Sequence, residues 1–208
     1  MSMKFITFEG GEGSGKTTII KKLVADLKEA GFNSVVTREP GGSKISEEIR
    51  NIILNVENKA MDYMTEALLY AASRRQHLEE VVKPAINDGM LVICDRYLDS
   101  SLAYQGHARG LGIENVYNIN MYATDGFLPD LTIFLDVAPE VGLTRIAVNN
   151  RDVNRLDLEK ESFHKLVREG YLKITEMYSD RIVRVDANGT VEEVYERVKN
   201  AVFSRLFK

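Results

Sequence analysis

The stretch Phe5-Ile6-Thr7-Phe8-Glu9-Gly10-Gly11-Glu12-Gly13-Ser14-Gly15-Lys16-Thr17-Thr18 decides the fold. It begins as a short apolar run and ends by opening an amphipathic segment. Between the two, Gly10 to Thr17 satisfies G-x-x-x-x-G-K-[ST] at every fixed position. Strand, glycine loop and helix in that order form the context in which this motif cradles phosphate. Glycines let successive backbone N–H groups point at phosphate oxygens, and the N-terminus of the following helix adds partial positive charge. Lys16 is placed for the β- and γ-phosphates and the Thr17 hydroxyl for Mg²⁺. Gly10, Gly11, Glu12, Gly13, Ser14, Gly15, Lys16, Thr17 and Thr18 are therefore the expected nucleotide-binding residues.

Working outward, four more apolar runs resemble the first. Residues 4–9, 34–38, 90–95, 131–136 and 182–186 read as strands rich in Val, Ile, Phe or Leu. Runs apolar on both faces mark strands covered by helices on either side. Helical patterns fall between them at 16–30, 46–55, 63–87, 139–148, 159–178 and 191–207. Within 159–178, Phe163, Leu166, Val167, Tyr171, Ile174 and Tyr178 keep the three-four spacing of one helical stripe. Thr190 with Glu193 reads as a capping box ahead of the last helix. Strand–helix alternation predicts right-handed βαβ units and a parallel sheet. The expected fold is α/β, a three-layer α/β/α sandwich on a five-stranded parallel sheet of the P-loop NTPase type. Ligands on such sheets sit beyond the carboxyl ends of the strands. The run Leu91-Val92-Ile93-Cys94-Asp95 ends in a carboxylate at that edge, so Asp95 joins Thr17 as a candidate Mg²⁺ residue.

Composition limits the alternatives. The 208 residues suit one α/β domain spanning 1–208. With 27 basic and 31 acidic residues the net charge is −4, which does not favour nucleic acid or anionic lipid. The one cysteine, Cys94, cannot form an intramolecular disulfide or a cysteine-cluster metal site. No apolar stretch is long enough to span a membrane, and the N-terminal residues lack the pattern of a secretory signal. A cytoplasmic protein is expected.

Phosphate binding alone does not separate a kinase from a switch or a motor. No Asn-Lys-x-Asp guanine signature occurs in the chain. Arg38, Arg50, Arg74 and Arg96 fall at or near strand ends, and the polar loop Asn149-Asn150-Arg151-Asp152-Val153-Asn154-Arg155 carries two more arginines. Phosphoryl transfer is largely positioning and charge neutralisation, and a kinase must keep water from its donor. A mobile arginine lid at about 149–157 fits that need. The residues point to a small-molecule kinase with an anionic acceptor; His77 and His164 read as structural or exposed.

Several segments then resemble one family. Phe8-Glu9-Gly10, the phosphate loop, Thr37-Arg38-Glu39-Pro40-Gly41-Gly42, Leu69-Tyr70-Ala71-Ala72-Ser73-Arg74 and Asp95-Arg96-Tyr97-Leu98-Asp99-Ser100-Ser101-Leu102-Ala103-Tyr104-Gln105-Gly106 look like thymidylate kinase, in family order. The 151–157 loop agrees. The resemblance implies transfer of the ATP γ-phosphate to dTMP with Mg²⁺, by a homodimer; the charge and the lack of an apolar span leave no nucleic-acid or membrane partner expected. It further implies catalytic roles for Lys16, Asp95, Arg96, Arg151 and Arg155. Arg96 and Arg50 would hold the acceptor phosphate, Tyr70 would stack on thymine, and Arg74, Ser101 and Gln105 would read the base. Tyr104 would crowd a 2′-hydroxyl, Glu12 would meet the 3′-hydroxyl, and Arg38 and Glu39 would frame the acceptor. Arg145 would lie over adenine beside Asp186-Ala187-Asn188. Another deoxynucleotide kinase or a deoxynucleoside kinase is the alternative.

Two positions bear on the variant of the family. Gly13 stands where some members carry a loop arginine, so Arg151 and Arg155 are expected to supply that charge, as in the bacterial lid-arginine type. Tyr70 stands where phenylalanine is common.

Overall fold

The computed structural model describes residues 3–148 and 155–206. Five strands, β1 (Phe5–Glu9), β2 (Ser34–Arg38), β3 (Leu91–Asp95), β4 (Leu131–Asp136) and β5 (Ile182–Asp186), form one sheet in the order β2-β3-β1-β4-β5. Every neighbouring pair is parallel. The pleat sends alternate residues to opposite faces. Ile6 and Phe8 of β1 face α1 (Lys16–Glu29) and α9 (Val191–Leu206), where Ile19, Leu23, Val198 and Val202 cover them. Phe5, with Val92, Cys94 and Phe134, faces the other layer. That layer holds α3 (Tyr63–His77) and α8 (Glu161–Met177), which contribute Tyr70, Val167, Tyr171 and Ile174. Each fully buried Ile, Leu or Phe contributes about 2 kcal/mol, so both faces of the central strand are strongly held.

The predicted strands match to within one residue. The 63–87 pattern is one continuous helical path, with a π-helical turn at Leu78–Val82 between α3 and α4 (Lys83–Asn87). The box before α9 forms as read: Thr190 N–H donates to Glu193 Oε2 at 2.8 Å, and Glu193 N–H to Thr190 Oγ1 at 3.3 Å.

Two helical segments were not foreseen. The first is α5 (Leu98–Ser101), continued by a π-helical stretch Leu102–Ala108; the second is α6 (Ile113–Thr124). Residues 98–106 are all buried, so polar and apolar side chains alike face inward and no amphipathic stripe appears. The remaining helices are α2 (Lys44–Leu54) and α7 (Pro139–Val148). No helix among the described residues is long and apolar enough to cross a membrane.

Candidate active site

The carboxyl ends of β1, β2, β3 and β5 converge on a cleft of about 710 Å³. One end is the phosphate loop, Glu12 to Thr18, with Arg145 and Ala187; the other is Arg38, Glu39, Arg50 and Arg96, with Asp95 between. A volume of this order suits small-molecule ligands.

The loop is shaped by what lies behind it. Gly13 has φ +69°, and a Cβ there would stand 2.0 Å from the backbone oxygen of Gly142 on α7. Gly142 is equally tight against the Glu12 oxygen, at 2.1 Å from its own Cβ position. A loop arginine therefore has no room at position 13 while α7 stays where it is. At the mouth, α1 begins at Gly15 without a side-chain cap and without an acid in its first turn. By contrast, Asp62 caps α3 through the N–H groups of Met64 and Thr65. The uncapped donors of α1 are the groups an anion would take. Lys16 Nζ folds over the loop, donating to Gly10 O at 3.1 Å, Gly11 O at 3.3 Å and Ser14 Oγ at 3.2 Å. Burial, then the charge of Arg96, lowers its pKa to about 8. The negative charge of an arriving polyphosphate would offset both effects. Thr17 Oγ1 lies 3.4 Å from Asp95 Oδ2. A hydroxyl beside one carboxylate fits Mg²⁺, which takes few protein ligands and fills its shell with phosphate and water.

Arg96 is the hub of the end opposite the phosphate loop. It is one of two non-glycine residues with positive φ (73°) among those described, a conformation that costs on the order of 1–3 kcal/mol. Glu9, fully buried, holds the turn. Its Oε1 accepts Tyr97 N–H at 2.7 Å, and its Oε2 accepts Ser100 Oγ–H at 2.5 Å and Tyr171 O–H at 2.8 Å. The guanidinium so aimed reaches Glu12 Oε1 at 2.7 Å, Ser100 Oγ at 3.2 Å and Tyr171 Oη at 3.2 Å, and lies over the Tyr104 ring at 5.2 Å. Burial, with Asp99 adding repulsion, pushes the Glu9 carboxyl up to about 7.

The expected base-reading residues gather on α3 and the 98–108 segment. Arg74 is 1% exposed and donates to Glu39 Oε2 at 2.7 Å, Ser101 Oγ at 3.1 Å, Tyr97 O at 2.9 Å and Asn120 Oδ1. One of its five N–H groups remains for a ligand. Glu39 also meets His77 Nδ1 at 2.9 Å, and His77 Nε2 lies 2.6 Å from Thr37 Oγ1, so that histidine is structural. Tyr70, Ser101, Tyr104 and Gln105 are all buried. Arg50 donates to Pro40 O at 2.7 Å, and Arg38 forks onto Glu47 at 2.7 and 3.2 Å. Arg145 bridges the loop and the 186–188 turn, reaching Gly13 O at 3.5 Å and Ala187 O at 3.3 Å.

The two lid arginines stand apart from this cluster. Arg151 lies outside the described residues. Arg155 is buried against Ile53 O, at 2.9 Å, and the Glu66 carboxylate. Sequence reasoning missed Glu9, Glu66, Arg109 and Tyr171. A signal existed for Glu9, a charge closing an otherwise apolar strand.

Replacing Gly13 by alanine should force the loop or α7 to move and lower kcat about a hundredfold, the scale of a misplaced catalytic group; near-normal ADP release would contradict the Gly13–Gly142 contact. Stability should also carry the Glu9 signature. A folded-state pKa above the ordinary 4.5 means that folding favours the protonated form. Its contribution is complete below pH 4.5 and is lost as pH rises toward 7. Urea unfolding of wild type relative to Glu9→Gln should show a difference falling by about 3 kcal/mol across that window and flat above it. A pH-independent difference would place the Glu9 pKa near its ordinary value.

Comparison with known proteins agrees with this geometry. The sequence model of the thymidylate kinase family matches residues 8–198. The chain is 61% identical to a thymidylate kinase of Clostridium novyi (strain NT), over 94% of this chain and 96% of that one. It is 56% identical to one from Geobacillus sp. (strain WCH70), over 99% of each. Among solved structures, it is similar to thymidylate kinase from Ehrlichia chaffeensis, with a TM-score of 0.77, 30% identity, and 98% and 99% of the two chains covered. A phosphate loop, a carboxylate-ended strand and a half-buried arginine hub in one cleft, on a chain matched almost end to end, belong together: this chain is a member of the thymidylate kinase family.

Proposed function

We propose that the cleft transfers the γ-phosphoryl group of ATP to the phosphate of dTMP, giving dTDP and ADP. The observation that carries the reading is the continuity of the cleft from Lys16 and the phosphate loop to Arg96, Arg50 and Arg38. Donor and acceptor phosphates can meet there in line. An oxygen of the acceptor phosphate attacks the γ-phosphorus, the bond to the β–γ bridging oxygen breaks, and ADP leaves with that oxygen.

The loop N–H groups of residues 10–18 and Lys16 hold the donor phosphates, and Arg145 covers adenine beside residues 186–188. Thr17 and Asp95 would hold Mg²⁺, which neutralises charge on the donor oxygens when bound. Arg96 and Arg50 take the acceptor phosphate, where guanidinium geometry suits two oxygens at once. Arg38 and Glu39 frame that end. Tyr70 stacks on thymine, while Arg74, Ser101 and Gln105 face the base edge. The Tyr104 ring lies under the sugar and leaves no space for a 2′-hydroxyl, and Glu12 accepts from the 3′-hydroxyl. Arg151 adds charge at the transferring group. The chain works as a single kinase domain over 1–208 with its lid at about 149–157, in a cytoplasmic homodimer. Family membership supports these last assignments.

The test is ADP release with ATP and Mg²⁺ against dTMP, dUMP, dCMP, dAMP, thymidine and no acceptor. The proposal expects dTMP first, dUMP weaker and nothing without acceptor, with Lys16→Ala lowering kcat about 10²–10³-fold. Preference for thymidine would make the chain a nucleoside kinase, and acceptor-independent release would make it an ATPase.

A further inference from the structure

One buried carboxylate belongs to neither phosphate end of the cleft. Glu66, in the first turn of α3, is 0% exposed. Its Oε1 accepts Gln105 Nε2–H at 2.8 Å and Arg109 Nε–H at 3.3 Å; its Oε2 accepts Arg109 Nη2–H at 3.4 Å and a hydrogen bond from Arg155 Nη2. Arg109 also pairs with Glu159 at 2.7 Å. Its guanidinium sits between the rings of Tyr63, at 4.6 Å, and Phe163, at 4.4 Å.

The charges close among themselves: Glu66 and Glu159 against Arg109 and Arg155. The two pairs are crossed, because Arg155 and Glu159 belong to one segment while Glu66 and Arg109 belong to the body. That segment is held further by Arg155 N–H to Leu54 O at 3.2 Å, by Arg155 Nε–H to Ile53 O at 2.9 Å, and by Leu156, which is buried in the core. Glu66 also stands one and two turns before Tyr70 and Arg74 on the same buried face of α3. The carboxylate that fastens residues 155–159 is thus the one that orients the Gln105 amide.

We propose that Glu66 is a positioning residue which ties the acceptor pocket to the 155–159 segment, and that Arg155 is the anchor of that segment rather than a contact to the transferred phosphate. Arg155 commits both its Nε and an Nη to protein acceptors, and its charge is matched where it stands. Occupation of the pocket that fixes Gln105 then also fixes Glu66, and through it Arg155. The link to dTMP rests on the functional reading above; the anchor does not.

The test is a mutant cycle on the full chain, with Glu66→Gln, Arg155→Ala and the double variant. It is read by hydrogen exchange of the 155–159 backbone without ligand and by kcat and KM for dTMP. Arg155→Ala leaves Glu66 paired with Arg109 and Gln105, so the fold survives; thermal unfolding checks this, and Arg155→Lys provides a milder variant. Each single change should speed exchange about tenfold, and the double should add little, as expected for two halves of one interaction. Both singles should raise KM for dTMP more than they lower kcat. Additive effects on exchange, or an Arg155→Ala variant that loses only kcat, would overturn the proposal. If the exchange cycle holds but wild type does not turn over dTMP, the anchor stands and the acceptor reading falls.

Discussion

The site depends on a carboxylate that touches no substrate in the proposed reaction. Glu9 ends β1 in the core, where an unpaired charge would be prohibitively costly. Three donors from two parts of the chain, Tyr97 N–H and the Ser100 hydroxyl from one segment and the Tyr171 hydroxyl from α8, satisfy it. What the arrangement secures is the left-handed turn at Arg96, which no isolated peptide would keep. Through that turn, β1, β3 and α8 jointly aim one guanidinium into the cleft. Removing any of the three donors leaves the carboxylate short of a partner, so the core and the site fail together.

Glu66 repeats this logic on the acceptor side with charges instead of neutral donors. A buried ion pair is poor evidence for stability, since its desolvation offsets its attraction. Its value is specificity of position: two acids and two arginines in crossed pairs admit one placement of residues 155–159. The two carboxylates divide the work. Glu9 fixes the turn that aims Arg96 into the cleft, and Glu66 holds the Gln105 amide together with residues 155–159.

Much of this was legible in the sequence. The five strands were readable because each is a short run rich in Val, Ile, Leu or Phe flanked by turn residues, with β1, β3 and β4 buried on both faces, and the phosphate loop because its glycines and Lys16 have few other uses together. The Thr190–Glu193 box was local and so visible locally. The 98–108 segment was not, because burial on every side erases periodicity. Neither Glu66 nor Arg109 carries a local signal: their meaning lies in partners 39 to 89 positions away, which only folding brings together. Arg155 shows the same limit in reverse. Its place in a polar loop suggested a solvated or phosphate-facing charge, yet its side chain is 7% exposed. Gly13 read as a missing arginine; in the structure it is a required absence, enforced by Gly142.

The most direct measurement is a crystal structure of Glu9→Ala with dTMP soaked at saturating concentration. With no acceptor for Tyr97 N–H, Arg96 should leave its φ of 73° and its 2.7 Å contact with Glu12 should break, pulling the guanidinium from the acceptor phosphate. An Arg96 that keeps both, over a normally bound dTMP, would show that the turn stands without Glu9 and would contradict the account at its base.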